Sequence, residues 1–571
     1  MANGNNATIG FEKQIWDAAC VLWGHIPAAE YRKVIVGLIF LRYISNAFEK
    51  RYQELVAEGD GFEDDRDAYA EDNIFFVPED ARWSKIASAA HTPEIGTLID
   101  NAMRAIEAEN KSLKNVLPKN YASPDLDKRV LGDVVDLFTN MDMSDTKENK
   151  DLLGKTYQYC IQQFAAYEGV KGGEFYTPES IVKTIVAILK PYENCRVYDP
   201  CCGSGGMFVQ SADFIEAHRG NRGKISVYGQ ESNADTWKMA KMNMAIRGID
   251  ANFGPYQADT FFNDLHPTLK ADFIMANPPF NVDEVSFDRV SGDARFNTYG
   301  VPRNSTKSAK KASDKKETVP NANYLWIGYF ATALNEHGKA ALVMANSASD
   351  AGKSEHEIRK KMIEEGIISQ MVTLPSNMFS SVTLPATLWF FDKHKPQTEK
   401  KDEILFIDAR NTFTQVDRAH RKFSDEQIKN LGIITRLYQG DTEAYAALLV
   451  EYREALAAAP ETAEDKETKT KAYWQAQINW LTERFPDGVY RDVIGLCKAA
   501  KLDGEDGIID QDYSLNAGRY VGVVIEDDGM TEADFKETML GLNAEFEALN
   551  EEAKKLEAQI SLNLRGLFTN E

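Results

Sequence analysis

The chain contains few of the residues that build disulfide frameworks and structural metal sites. Its 571 residues include six cysteines and eight histidines. No two cysteines form a Cys-x-x-Cys pair, and the histidines are not spaced as metal ligands. This scarcity argues against disulfide bonds and against zinc, so we expect no metal site. A reducing cytoplasm is the compartment that this cysteine usage predicts.

Long apolar runs and an excess of positive charge are also absent. The longest apolar stretch, 34–44, is too short to cross a bilayer and contains Arg42. The amino terminus has neither a basic region nor an apolar signal core, so we expect no membrane role. The net charge is −23, which opposes binding to phosphate. Either the substrate is not nucleic acid, or a local basic patch and a partner subunit supply the positive charge.

Hydrophobic periodicity divides the chain into regions of different character. Apolar residues at helical spacing predict a helical N-terminal domain over 1–167. From 168 to 395, short apolar strands alternate with helices, which predicts an α/β domain with a doubly wound, mainly parallel sheet. An end as late as about 425 fits the same pattern, and 396–530 reads as a mixed, mainly helical region. The strand candidates are 195–198, 226–229, 273–276, 340–344, 367–374 and 387–391.

The last segment, 531–571, carries a heptad seam. Its apolar residues are spaced alternately four and three apart and are surrounded by charged residues, which predicts one long helix. Such a seam favours contact with a partner, although the helix could also fold back on its own chain. The seam consists of Phe535, Met539, Leu542, Phe546, Leu549, Ala553, Leu556 and Ile560.

A lysine-rich insertion occupies 303–317. It is polar and has no apolar period, so it predicts a mobile loop. Its position shortly after the motif at 277–280 leaves two roles open, contact with DNA and a merely solvated loop.

A candidate catalytic motif closes the fourth apolar run. Asn277-Pro278-Pro279-Phe280 follows the buried strand candidate 273–276, and the two prolines stop the strand. Open α/β sheets place their chemistry at the carboxyl ends of strands. An amide oxygen and a fixed backbone carbonyl offer two acceptors to an exocyclic amino group, and the phenyl ring offers a stacking face. This set suits a flipped-out nucleobase that is alkylated on its amino group.

A candidate cofactor site precedes this motif. The first strand candidate leads into Asp199 and then into a glycine loop, where the backbone can approach a ligand closely. Glu231 follows the second strand, where an acidic residue can bind ribose hydroxyls. Asp259 follows a probable third strand and could accept a hydrogen bond from an adenine amino group. The glycine loop comprises Gly203, Ser204, Gly205 and Gly206.

Two other ligand chemistries are disfavoured at this loop. It lacks the Gly-x-Gly-x-x-Gly spacing, and no Gly-Lys-Ser/Thr follows, so a phosphate cradle is not indicated. Pro200-Cys201 invites comparison with enzymes that attack cytosine through a cysteine. The pair lies in the cofactor loop, however, and we interpret Cys201 as a small packed side chain. Acidic strand ends without a phosphate cradle favour a cationic nucleoside such as S-adenosylmethionine.

Three motifs in this order carry a resemblance to a known family. They are 173–179, 199–206 and 277–280, and the match extends to Asn323-Tyr324-Leu325-Trp326 and to 512–516. With them, nearly the whole chain resembles the modification (methyltransferase) subunit of type I restriction–modification systems. These subunits are N6-adenine DNA methyltransferases of bacteria and archaea, so the resemblance implies a Rossmann-like S-adenosylmethionine-dependent sheet with helical domains on either side.

The resemblance also implies roles for individual residues. Gly203 to Gly206 would wrap the amino-acid part of S-adenosylmethionine, Glu231 would bind its ribose, and Asp259 would lie near its adenine. Asn277 to Phe280 would bind and stack the target adenine. The residues expected to line the methionine end of the cofactor are Glu174, Phe175, Tyr176, Thr177, Pro178 and Glu179.

In this family the modification subunit does not select the DNA sequence. Two copies clamp a separate specificity subunit, and a restriction (translocase) subunit can join them. The resemblance therefore implies double-stranded DNA with a flipped-out adenine as substrate, and partner charge would resolve the unfavourable net charge. The alternatives are a protein glutamine-type methyltransferase and a non-catalytic assembly scaffold. Intact Asn277, Glu231 and Gly203 argue against the scaffold.

Overall fold

The computed structural model describes two compact units, Met1–Val521 and Gly522–Glu571. The residues that it describes are 28–70, 72, 74–140, 177–218, 220–283, 285–303, 318–379, 385–418, 420–463, 465, 468–524 and 531–568. Several predicted features lie outside these ranges: Glu174, Phe175, Tyr176, most of the lysine-rich insertion, and residues 1–27 and 141–167 of the expected helical N-terminal domain.

A nine-stranded sheet organises the first unit. Its strands are β1 (Arg196–Asp199), β2 (Ser226–Gly229), β3 (Ala251–Asn252), β4 (Ala271–Ala276), β5 (Leu334–Ala345), β6 (Ile368–Thr373), β7 (Ala386–Asp392), β8 (Glu403–Asp408) and β11 (Cys497–Lys501), and a separate hairpin joins β9 (Thr414–Gln415) to β10 (Arg421–Lys422). The order in the sheet is β11-β8-β6-β7-β5-β4-β1-β2-β3. Strand β7 is antiparallel to both neighbours, β11 is antiparallel to β8, and every other pairing in this sheet is parallel.

The central strands are buried on both faces because helices cover both. Successive side chains of β4 alternate between two cores, with Phe273 and Met275 in one and Ile274 and Ala276 in the other. This burial explains why the strands appear in the sequence as continuous apolar runs rather than as alternating patterns. The six strand candidates are confirmed, and so is the expected α/β methyltransferase fold class.

The described helices lie before, between and after the strands. They are α1 (Ala28–Glu58), α2 (Arg66–Ala70), α3 (Trp83–Ser88), α4 (Ile95–Glu109), α5 (Lys128–Asn140), α6 (Glu179–Leu189), α7 (Gly206–Ala217), α8 (Ala234–Ile246), α9 (Phe287–Val290), α10 (Ala294–Asn297), α11 (Asn323–Ala333), α12 (Ser354–Glu365), α13 (Asp425–Tyr438), α14 (Thr442–Ala458), α15 (Lys471–Arg484) and α16 (Glu532–Phe568). None of these helices is long and apolar enough to cross a membrane.

The N-terminal helices form their own core and pack on the sheet domain through α8. Met239, Met242 and Ile246 of α8 belong to the same apolar cluster as the buried face of α1. The hydroxyl of Tyr43 donates to the carbonyl of Ile246 over 3.1 Å. Helix α8 is therefore shared between the two cores.

The sheet continues past residue 395, the earlier of the two ends that we expected for the catalytic domain, and its last strand also lies beyond residue 425, the later one. Strand β8 pairs with β6 and β11 pairs with β8, so both belong to the same sheet as β1 to β7. Periodicity alone gave too little weight to the run at 403–408, although its side chains are almost all buried. The second unit contains α16, and each large apolar side chain of its seam has at least half of its surface exposed.

Candidate active site

The carboxyl end of β4 presents a buried amide. Asn277 directly follows Ala276, the last residue of β4. Both polar atoms of its side chain, Oδ1 and Nδ2, are buried and have no hydrogen-bond partner among the described residues. An unsatisfied buried polar group costs about 1–3 kcal/mol. A polar ligand that hydrogen-bonds to the Asn277 amide would therefore remove this free-energy cost.

The turn after Asn277 is held by a reciprocal amide pair. Asn281 has a left-handed backbone, with φ of +54°. Its N–H donates to Oδ1 of Asn323 over 2.8 Å, and Nδ2 of Asn323 donates to Oδ1 of Asn281 over 2.8 Å. Asn323 is buried at the start of α11. Asn323 belongs to one of the motifs that carry the family resemblance, but its role in holding the turn was not predicted. The one local signal was Asn281, the polar residue directly after the catalytic motif.

The rest of the motif is fixed by packing and by a short backbone pairing. Pro278 is buried, and the half-buried ring of Phe280 contacts both apolar cores of the sheet domain. The carbonyl of Val282 accepts from the N–H of Ala322 over 2.8 Å. The segment just before α11 is therefore hydrogen-bonded to the chain that follows the turn, and this contact helps to fix the position of Asn277.

The loop after β1 combines a buried acid with left-handed glycines. Oδ1 of Asp199 accepts from the N–H of Cys201 over 2.9 Å. Burial raises the pKa of Asp199 to about 8, and the nearby Glu231 charge acts in the same direction. Gly203 and Gly205 have φ of +53° and +84°, which favour glycine. A Cβ on Gly203 or on Gly206 would meet no atom within 4 Å, so both positions border open space.

Glu231 joins the end of β2 to this loop. Its Oε2 accepts from the N–H of Gly203 over 3.1 Å, and its Oε1 accepts from the N–H of Asn233 over 2.7 Å. Its Oε1 also accepts from the hydroxyl of Ser232 over 3.4 Å. The structure thus brings together the two sequence features assigned to the cofactor, the glycine loop and the acidic end of the second strand.

An open cleft connects the glycine loop with Asn277. Seven of the residues predicted for the site line it, and Cys201, Cys202, Val182, Met207 and Gln210 complete the wall. The seven are Thr177, Glu179, Asp199, Gly203, Ser204, Gly206 and Asn277. Pro178, Gly205, Pro278, Pro279, Phe280, Glu231 and Asp259 are not among the lining residues.

The segment 177–179 is fixed at the start of α6. Pro178 caps this helix, and Glu179 lies in its first turn, where a negative charge is favourable. The Glu179 carboxylate forms an ion pair with Lys183 over 2.9 Å. Lys183 also lies 3.7 Å from Asp425, the first residue of α13. Helices α6 and α13 therefore begin side by side at the cleft.

Asp259 does not lie at the end of the third strand, where we expected it. Strand β3 ends at Asn252, and Asp259 lies exposed in the loop that follows, where its Oδ1 accepts from the N–H of Phe261 over 2.8 Å. That loop is set by a side chain that sequence reasoning missed. Buried Gln230 donates to the carbonyls of Ala258 and Asn263 over 3.2 and 2.7 Å. The polar character of Gln230 between a strand and Glu231 was the available signal.

A second missed residue supports the glycine loop from α8. Buried Asn243 donates through Nδ2 to the carbonyl of Ser204 over 2.8 Å. Its position on the buried face of an otherwise methionine-rich helix was the signal, since a polar side chain in a core needs a partner.

The two adjacent cysteines behave as packed thiols. Burial raises the pKa of both Cys201 and Cys202 well above the ordinary value, and the neighbouring Asp199 acts in the same direction. Because the thiolate is the nucleophilic form, a raised pKa makes either residue a poor nucleophile. Within the described ranges, no three histidine, cysteine, aspartate or glutamate side chains are grouped as metal ligands.

Comparison with known proteins identifies the family. The N-6 DNA Methylase family model matches residues 148–458, and the HsdM N-terminal domain model matches residues 11–138. The HindI type I restriction enzyme methylase subunit of Haemophilus influenzae is 36% identical over 515 residues, which cover 86% of this chain and 99% of that protein. The MjaIX methylase subunit of Methanocaldococcus jannaschii is 31% identical over 569 residues, 96% of this chain and 90% of that protein.

A solved structure shares the fold. The methyltransferase subunit of a type I restriction–modification system from Streptococcus thermophilus superimposes with a TM-score of 0.67 at 21% identity, and the match covers 90% of this chain and 100% of that one. The sequence relatives extend over both domains that the family models recognise. The chain therefore belongs to the family of type I restriction–modification methylase subunits, which are adenine-specific N6 DNA methyltransferases.

Proposed function

We propose that the cleft between the glycine loop and Asn277 binds S-adenosylmethionine, and that Asn277 holds the adenine that is methylated. The observation that carries this proposal is the buried amide of Asn277, which has no hydrogen-bond partner among the described residues and lies in the wall of the same cleft as Gly203 and Gly206. A cofactor at the loop and a base at the turn would thus share one cavity.

The residues present fit S-adenosylmethionine. Gly203 and Gly206 leave room for a ligand against the backbone, and Glu231 places a carboxylate, the group that binds ribose hydroxyls in dinucleotide folds, beside Gly203. Glu179 supplies a negative charge to the wall, which favours a cationic ligand, and Asp199 and Thr177 add polar groups beside it. Glu174, Phe175, Tyr176, Pro178, Ser204, Gly205 and Asp259 complete the proposed set, with Asp259 reaching the ligand from the loop that hydrogen-bonds to the backbone of Glu231.

The proposed chemistry on the base side depends on Asn277 and Pro278. The N6 lone pair of adenine is delocalised into the ring, so the amino group is a weak nucleophile. Hydrogen bonds from N6–H to Oδ1 of Asn277 and to the carbonyl of Pro278 would localise that lone pair. Phe280 would stack on the flipped ring, and Pro279 would keep the turn rigid. When bound, S-adenosylmethionine supplies the methyl group and leaves as a neutral thioether, and the spare N6 proton passes to water.

Partner subunits complete the proposed assembly. We propose that two copies of this chain bind a specificity subunit, that α16 provides that contact, and that a restriction subunit can join. The proposed substrate is double-stranded DNA, and the proposed compartment is the cytoplasm of a bacterium or archaeon. The division into 1–167, 168–395, 396–530 and 531–571 remains our proposal for separate functions, with the catalytic sheet extended by β8 and β11.

The test uses the chain assembled with its specificity subunit, with labelled methyl transfer to DNA as the readout. Asn277→Ala should reduce transfer by about 10²–10³-fold, as the loss of an oxyanion-hole donor does, while binding of S-adenosylmethionine stays within a few-fold. Asn101→Ala, an exposed change in α4, is the matched control. Label on protein rather than DNA would favour the glutamine-type alternative. Absence of cofactor binding by the native chain would favour a scaffold.

A further inference from the structure

A basic hairpin stands out in this acidic chain. The segment 409–423 contains Arg410, Arg418, Arg421 and Lys422 against a single acidic residue, Asp417, whereas the whole chain has a net charge of −23. We define the basic hairpin by its described residues, 409–418 and 420–423. Its two short strands are β9 and β10, which pair only with each other among the described strands.

The hairpin is rigidly attached to the sheet domain. Ala409 and Phe423 at its two ends are buried. The guanidinium of Arg421 lies 3.9 Å over the ring of Phe413 and donates to Oγ of Ser376 over 3.2 Å. The backbone N–H of Arg421 donates to the carbonyl of Asn377 over 2.9 Å. The contacts of Arg421 therefore attach the hairpin to the loop after β6. The charge of Arg410 is neutralised by an ion pair with Asp408.

The remaining two cations are presented to solvent. Arg418 at the hairpin turn and Lys422 on β10 are both exposed. Long basic side chains on a rigid, exposed element are the usual means by which proteins contact phosphate without reading sequence. A merely solvated face would not require a hairpin that is fixed at both ends and braced against the loop after β6.

The hairpin lies on the same edge of the sheet as Asn277. Strands β4, β5, β6 and β8 all run in one direction, because β7 is antiparallel to both β5 and β6. The hairpin follows the carboxyl end of β8, and Asn277 follows that of β4. Four strand spacings separate β8 from β4 in the sheet order, or about 19 Å at 4.8 Å per spacing.

We propose that Arg418 and Lys422 contact the phosphate backbone of the substrate DNA about 5–6 base pairs from the target adenine, at a rise of 3.4 Å per base pair. The proposal rests on the function proposed above, since that function places the adenine at Asn277. The hairpin would supply local positive charge in a chain whose overall field repels DNA.

The test measures DNA affinity of the assembled complex as a function of salt. Arg418→Gln with Lys422→Gln should lower the slope of log K against log salt by about 1.8, because each phosphate contact contributes about 0.9. The ratio of specific to non-specific affinity should stay unchanged. Lys224→Gln with Lys270→Gln is the matched control, since both lysines precede parallel strands, β2 and β4, and so lie at the opposite edge.

Phosphate ethylation interference locates the contact. Interference about 5–6 base pairs from the methylated adenine should be present with the native complex and absent with the double variant. An unchanged salt slope would overturn the proposal. Failure of the double variant to assemble with the specificity subunit would also overturn it, because the hairpin would then be a protein contact. If the native complex methylates no DNA, the proposed function fails instead.

Discussion

The amide pair between Asn281 and Asn323 predicts a loss of catalysis without a loss of cofactor binding. Asn323→Ala removes two hydrogen bonds of 2.8 Å, which together contribute about 1–3 kcal/mol. Asn281 is exposed, so water replaces part of this, and we expect a stability loss of about 1–2 kcal/mol. The larger effect should be on rate, since a displacement of about 1 Å at a reacting group can cost about 10²-fold.

A graded series of variants distinguishes positioning from general stability. Asn281→Gly keeps the N–H that donates to Asn323 and accepts the left-handed backbone, so it should stay close to the native rate. Asn281→Ala keeps the same N–H but lacks the polar side chain that lets asparagine adopt φ of +54°, a backbone conformation that costs other residues about 1–2 kcal/mol. Asn323→Asp keeps the acceptor for that N–H and should recover part of the rate lost in Asn323→Ala.

The assay is methyl transfer at saturating DNA and cofactor by the complex with the specificity subunit, with calorimetric binding of S-adenosylmethionine beside it. We expect kcat to fall by about 10- to 100-fold in Asn323→Ala, with a cofactor Kd within two-fold of the native value. The order of kcat should follow the series, native, Asn281→Gly, Asn281→Ala, Asn323→Ala. A native kcat in Asn323→Ala, or equal losses in kcat and in cofactor binding, would refute the reasoning.

Three further predictions concern the cofactor, pH and assembly. Glu231→Ala should weaken S-adenosylmethionine binding by about 1.5–3 kcal/mol through loss of a charged acceptor, measured by calorimetry with unchanged circular dichroism; an unchanged Kd would remove Glu231 from the site. Asp199 has a folded pKa of about 8 against an ordinary 3.8, so the folded state retains its proton and the free energy of unfolding falls as pH rises across that window. Relative to Asp199→Asn, the native chain should lose up to about 1.4 kcal/mol per pH unit between pH 5 and 8 in denaturant titrations, and a pH-independent difference would contradict the raised pKa. Leu549→Glu with Leu556→Glu should abolish co-purification with the specificity subunit while cofactor binding persists, whereas Leu540→Glu with Leu562→Glu, exposed but outside the seam, should assemble normally; equal behaviour of the two pairs would exclude the seam as the contact.

The buried strands and the turns that end them could be predicted from short stretches of sequence. The run 273–276 had to be a buried strand because its residues are apolar without interruption, and Pro278 had to end it. The order of the strand ends along the chain then placed the glycine loop and Asn277 at one edge, where one cleft now contains both. The end of the catalytic sheet was harder, because β11 is separated from its partner β8 by three helices.

Features that depend on distant pairs could not be predicted. Asn281 and Asn323 are 42 residues apart, and nothing in either neighbourhood indicates the other. The support of Ser204 by Asn243 has the same character. Asp259 was predicted to lie at the end of a third strand, but that strand is only two residues long. Hydrogen bonds from buried Gln230, rather than strand pairing, fix the backbone of the loop that contains Asp259. Side chains that satisfy distant backbone groups are visible only once the tertiary fold is known.

The two halves of the cleft differ in how their polar groups are satisfied. At the half proposed to bind the cofactor, Glu231 and Asn243 already hydrogen-bond the backbone of the glycine loop. At the half proposed to bind the base, the Asn277 amide has no partner among the described residues, although its turn is held by Asn323. A preorganised loop costs little to bind against, whereas a buried amide kept unpaired gains most when an amino group arrives. Interactions that strengthen in the transition state accelerate the chemical step, so an Asn277 amide with no partner among the described residues is suited to the proposed contact with the reacting nitrogen.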